Sequence, residues 1–139
     1  MKRKILILIA VYIIGGILSR TILHLGPNVE FITAISISSA ICLNNKKLAL
    51  IVPISIMFLS DLIIGNSNIF IFTWSGFLFP VILGFVLSKL IKKQTDNKIL
   101  ILALFSELAG VTSSMFFFVW TNFGHWLTTN MYTKDIGGL

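Results

Sequence analysis

Long apolar runs alternate with short polar stretches along the whole chain. Five runs stand out: Ile5 to about Leu23, about Val29 to Leu43, Leu48 to Ile64, about Trp74 to Ile91, and Ile99 to about Trp120. A membrane-spanning helix takes about 20 such residues, so the second and third runs lie at the short end. Stretches such as Ile5–Ile9 and Met115–Val119 are apolar on successive residues, unlike the alternating polarity of a membrane strand. In hydrocarbon, backbone polar groups must bond within the segment, and runs of this length do so only as helices. The pattern predicts an all-α polytopic transmembrane helix bundle. It forms one domain over residues 1–139, with spans at about 5–23, 29–43, 48–64, 74–91 and 99–120 and an outer tail at 121–139. Thr33, Ser36, Ser38 and Ser39 give the second run a set of small hydroxyls, and Gly76, Pro80 and Gly84 punctuate the fourth.

Positive charge orients these runs. Lys2-Arg3-Lys4, Lys46-Lys47 and Lys89-Lys92-Lys93-Lys98 fall at every second boundary and hold nine of the eleven basic residues. Short cytoplasmic loops collect Lys and Arg, so the amino terminus is expected in the cytoplasm and the last loop outside, in a multi-pass protein of the cell inner membrane. Trp74, Trp120, Trp126 and Tyr132 fall near the outer ends, where amphipathic rings favour the headgroup level. The net charge of +6 then reports topology and lipid headgroup contact rather than nucleic acid. At 12% charged and 56% hydrophobic, with mean hydropathy +0.96, the chain lacks the polar surface of a soluble domain. Cys42 is the single cysteine, which excludes an intrachain disulfide. The basic start and apolar middle of residues 1–19 imitate a signal peptide. The run continues past Gly15-Gly16 without a small-residue cleavage site, so a first span is the expectation. Five spans leave the tail outside. That odd number, with the ending Asp135-Ile136-Gly137-Gly138-Leu139, points to a sixth helix beyond Leu139; the alternative is a five-helix protein.

Charges inside the runs can be placed by depth. Arg20 lies sixteen residues beyond Lys4 and Asp61 fourteen beyond Lys47, about 24 and 21 Å along a helix. At one depth, near the outer boundary, they are expected partners, either in an outward-facing site or as a structural ion pair. Glu107 lies nine residues beyond Lys98, about 13 Å in and near the midplane. A carboxylate there should be neutral or face the bundle interior. Proton relay, cation ligation and substrate anchoring are its functional readings; a protonated Glu bonded to a hydroxyl of the Thr33-Ser36-Ser39 set is the structural one. A denser polar set gathers at the outer end, with Arg20, His24, Asn28, Glu30, Asp61, Asn66, Asn68, Thr73 and Trp74 ahead of Thr121-Asn122-Phe123-Gly124-His125-Trp126. Rings beside hydrogen-bonding groups suit a small, partly aromatic ligand. No enzyme, nucleotide-binding or metal-ligand motif is present, so the expectations are no catalysis, no cofactor and no metal.

Several stretches carry a resemblance: Ser19-Arg20, Gly26-Pro27-Asn28, Asn45-Lys46-Lys47-Leu48-Ala49, Val52-Pro53, Leu59-Ser60-Asp61-Leu62, and Thr121-Asn122-Phe123-Gly124 with Trp126. In this order they resemble an uncharacterised bacterial family of small integral membrane proteins, itself similar to the substrate-binding S components of energy-coupling factor transporters. The resemblance implies six helices, capture of a vitamin or metal ion from outside, and a membrane coupling subunit driven by two ATPases as partner. By position, Arg20, Asn28, Asp61, Asn122 and Trp126 stand in that family's polar motifs and are the expected substrate-binding residues. The first helix has Gly15-x-x-x-Ser19 where S components carry Ala-x-x-x-Ala. Substrate capture for nutrient uptake is therefore the first expectation. A non-catalytic subunit packed on other integral membrane chains is the alternative, and a proton-coupled carrier using Glu107 the third. Capture predicts polar groups converging from the first, third and fifth spans. A subunit predicts Arg20 and Asp61 satisfied locally.

Overall fold

A computed structural model of the chain describes residues 2–23, 31–43, 45–66, 68–93, 97–130 and 132–138. The described residues form six α-helices and no strand: α1 (Lys2–Thr21), α2 (Ile32–Cys42), α3 (Lys46–Ile64), α4 (Phe70–Gly76), α5 (Leu78–Lys93) and α6 (Lys98–Thr128). Four stretches are long and apolar enough to cross a membrane, Arg3–Thr21, Lys46–Ile64, Phe70–Lys93 and Ile99–Thr128; Ile32–Cys42 is shorter.

Local chemistry sets the boundaries. Asn45 begins α3 by accepting the backbone N–H groups of Lys47 at 3.0 Å and Leu48 at 3.2 Å, two donors a helix start otherwise leaves unbonded. The fourth predicted span, 74–91, is two helices that meet at Phe77. Pro80 explains the break. It has no N–H for the Gly76 carbonyl, and its ring crowds that carbonyl, so α4 ends at Gly76 and Pro80 sits harmlessly in the first turn of α5. Pro53 lies inside α3 and likewise leaves the Ala49 carbonyl without its helical donor. Ser39 of α2 supplies a replacement: its hydroxyl reaches Ala49 O at 3.3 Å while also donating to Ser36 O at 2.9 Å. The fifth predicted span continues as α6 to Thr128, past the expected end at Trp120.

Contacts give the relative directions. Gly16 of α1 faces Ile56 of α3, and Arg20 meets Asp61, so α1 and α3 run side by side in the same sense. Phe77 packs on Phe117 and Phe72 on Phe123, so α6 runs against α4 and α5. The helix ends bearing the basic clusters therefore gather at one end of the bundle, and Arg20, Asp61 and Trp74 at the other. α2 and α5 approach backbone to backbone, where a Cβ on Gly84 would stand 2.6 Å from the Ile37 carbonyl oxygen. An aromatic ladder, Phe116, Trp120, Phe123 and Trp126, climbs α6 at ring spacings of 5.9–6.1 Å, and Phe72 of α4 leans on it 5.3 Å from Trp120.

The outer surface of the bundle is apolar, unlike that of a water-soluble domain, while its apolar core also holds serines. Ser36, Ser39 and Ser60 are fully buried beside Ile32, Val52, Ile56 and Val81. Leu6, Ile63, Ile71, Leu108, Met115 and Phe118 are each more than half exposed. The Ser36 and Ser60 hydroxyls are satisfied within their own helices, by Ile32 O at 2.7 Å and Ile56 O at 2.6 Å, so their burial costs little.

Candidate functional site

At the end opposite the basic clusters, three helices meet around one carboxylate. Arg20, in the last turn of α1, places a guanidinium nitrogen 2.6 Å from one oxygen of Asp61 on α3. The other oxygen of Asp61 accepts the indole N–H of Trp74 on α4 at 2.8 Å. The same guanidinium nitrogen donates to Ser60 Oγ at 2.5 Å. The side chains of Arg20 and Asp61 are only 10% and 7% exposed. The arrangement is complementary: a bound cation and an aromatic donor occupy both carboxylate oxygens, leaving no oxygen of Asp61 without a partner. The partnership expected from equal depth is present, and it ties α1, α3 and α4 together. Ser60 and Trp74 are its unforeseen members. Ser60 sits beside Asp61 and carried no separate signal, and Trp74 read as an interfacial anchor.

A cavity of about 630 Å³ opens on another side of this end, between α2, α4 and α6. Thr33, Thr73, Thr121, Asn122 and His125 bring polar atoms to it, and Ile69, Phe77, Phe117 and Phe118 supply apolar walls. Several of these groups already spend a proton on their own helix. Thr121 donates to Phe117 O at 2.8 Å, Thr73 to Ile69 O at 3.3 Å, and the Asn122 amide to Phe118 O at 2.7 Å. The Thr73 and Thr121 hydroxyl oxygens keep lone pairs, and Asn122 keeps its carbonyl oxygen and one amide N–H. The lining is thus rich in acceptors beside aromatic faces, suited to a small flat molecule bearing N–H or O–H donors. The Thr33 hydroxyl and the His125 ring form no hydrogen bond with another described residue and add to that capacity.

A family model matches the chain over residues 1–139, and its description is a family of unknown function, DUF6580. The chain belongs to the DUF6580 family. No curated protein and no solved structure matches it.

The expected site residues of this DUF6580 protein do not share one cavity. Arg20 and Asp61 form the ion pair, and Asn122 lines the cavity between α2, α4 and α6. Trp126 turns to the carboxyl-terminal tail, its indole N–H donating to Thr133 O at 2.9 Å. Lys134 lies over the same ring, 5.5 Å from its centroid, and its ammonium bonds the Trp126 and Thr129 carbonyls at the end of α6, the usual place for a cation on a helix. Asn28, with His24 and Glu30, lies outside the described residues. Of the two expectations for Glu107, a neutral group or one facing the bundle interior, the second is not met: it is exposed on α6 and makes no bond with a described residue. Of the Thr33, Ser36 and Ser39 hydroxyls expected beside it, those of Ser36 and Ser39 donate to helix carbonyls.

Proposed function

We propose that this DUF6580 chain is an integral protein of the cell inner membrane that captures a small molecule in the cavity between α2, α4 and α6. The observation that carries the reading is that cavity: acceptor atoms from three helices beside aromatic walls, at the end of the bundle away from the lysines. Large exposed apolar side chains around buried serines support a bilayer as solvent. The basic helix ends support a cytoplasmic amino terminus, which puts the cavity at the outer face. Capture requires no bond to be made or broken, so the protein acts as a binding component and not as an enzyme. Uptake would then depend on a membrane coupling subunit, as in the S components that the sequence resembles. Arg20 and Asp61 serve this function indirectly, by holding α1 and α3 to the start of the α4 wall.

One observation favours the second reading, a non-catalytic subunit of a larger membrane complex: Arg20 and Asp61 are satisfied by each other and by Trp74, not by a ligand. Native mass spectrometry of the protein, gently extracted from its own membrane, separates the two. Capture predicts a small-molecule adduct. Asn122→Leu, which removes the acceptor at nearly constant volume, should lower its occupancy roughly tenfold, the equivalent of one lost hydrogen bond of about 1.4 kcal/mol. Equal occupancy in Asn122→Leu, or a bound protein chain with no small adduct, contradicts capture.

A further inference from the structure

The open side of α6 carries a feature that ligand capture does not use. Ala103, Glu107, Gly110 and Ser114 follow one another at spacings of four, three and four residues. That spacing puts them on one face of α6, in the 3.5-residue repeat that lets two helices lie along each other. Ala103, Glu107 and Ser114 are exposed, and a Cβ added to Gly110 would meet no atom within 4 Å. By contrast, a Cβ on Gly16, Gly76, Gly84 or Gly124 would collide with a neighbouring helix. The seam is therefore shaped for close helix approach, and among the described residues its Ala103, Glu107 and Ser114 side chains stay exposed. It borders a cleft of about 440 Å³ between α2 and α6, which shares Thr33 and Ser114 with the ligand cavity.

We propose that a second copy of this chain packs on this face, the α6 helices of the two copies running alongside each other at the Ala103-Glu107-Gly110-Ser114 seam. The proposal rests on the membrane part of the proposed function. The occupant follows from Glu107. A carboxyl in the middle of an apolar span is costly without a partner, and Glu107 has none among the described residues. The seam itself offers what Glu107 lacks: Ser114 lies seven residues on and Ser106 adjoins it, both lining the cleft, and Ser114 keeps acceptor lone pairs while donating to Gly110 O at 3.1 Å. In a two-fold contact the same patch meets itself, so Glu107 of each copy is brought to the hydroxyls of the other. Small residues let the backbones approach, and the exposed side chains of Leu100, Leu104, Val111 and Phe118 flank the contact. Packed so, the second copy also closes the open side of the α2–α6 cleft.

Oxidative cross-linking in native membranes tests this. Cys42 lines the cleft and is first replaced by serine. Single cysteines are then placed at Ala103 or Gly110 on the seam and at Phe105 or Thr112 on the opposite flank of α6. Covalent homodimer is expected from Ala103→Cys and Gly110→Cys and not from Phe105→Cys or Thr112→Cys. Adding Glu107→Leu should weaken the seam cross-links, and adding Glu107→Gln, which keeps a hydrogen-bonding group, should preserve them. No cross-link, equal cross-linking on both flanks, or a product containing a different chain overturns the proposal. A monomer that retains its small-molecule adduct removes the contact and leaves capture intact; a dimer with no adduct does the reverse.

Discussion

Asp61→Ala is expected to destabilise the protein by about 3–5 kcal/mol, the cost of breaking a buried ion pair from one side. The reason lies in what remains. The Arg20 guanidinium stays at a site where its side chain is 10% exposed, and the Trp74 indole N–H loses its acceptor. Three helices lose their common tie, so the effect should show as a lower unfolding midpoint of the detergent-solubilised protein and as early loss of the α4 wall. The double variant Arg20→Leu with Asp61→Leu removes both charges and keeps apolar volume. It should cost less than Asp61→Ala alone, because replacing a buried pair by apolar groups is often close to neutral. A double variant as damaged as the sum of its parts would mean that the two residues act separately, which the 2.6 Å contact argues against.

Gly84→Ala is the second large effect. The new Cβ would stand 2.6 Å from the Ile37 carbonyl oxygen and 2.7 Å from Ala40 Cβ. Neither neighbour is a flexible side-chain end, so α2 must move off α5. Overpacking of this kind costs about 1–3 kcal/mol, and Gly84→Leu should prevent the native packing altogether. Because α2 carries Thr33 into the cavity, binding should weaken along with stability. Gly15→Ala is the matched control. Its Cβ would meet nothing within 4 Å, and alanine favours a helix over glycine by about 1 kcal/mol, so stability should hold or rise slightly. Thermal unfolding of the three variants under one detergent condition gives the comparison directly.

Much of this architecture was legible in the sequence, for physical reasons. Continuous apolar runs can only be helices at this length, and α1 and α3 lie close to the predicted spans. Equal depth from the flanking lysines was enough to pair Arg20 with Asp61, because both are counted from the same end of parallel helices. The break at Phe77 was visible as Pro80, but hydropathy is blind to it: both halves are apolar, and only the missing N–H and the ring contact with Gly76 divide them. Rotation of a helix about its axis was harder to read. Depth placed Glu107 near the middle of a span and could not say which face it occupies; on α6 it faces outward, next to Gly110. Asn122 and Trp126 are four residues apart and were grouped as one site, yet the tail draws Trp126 to Thr133 and Lys134 while Asn122 stays with the α2–α4–α6 cavity. The cavity's walls come from the second, fourth and fifth spans (α2, α4 and α6) rather than from the first, third and fifth, because those contacts depend on how the helices pack and not on their order.

The account depends on which end of the bundle faces the cell exterior, since the cavity lies at the end away from the lysines. Labelling of intact cells with a membrane-impermeant maleimide tests this most directly, using single cysteines at Asn68 and at Lys47 in a Cys42→Ser background. The account predicts that Asn68→Cys is labelled in intact cells and that Lys47→Cys is labelled only after the membrane is opened. Labelling of Lys47→Cys in intact cells, with Asn68→Cys protected, would turn the cavity toward the cytoplasm and contradict capture from outside.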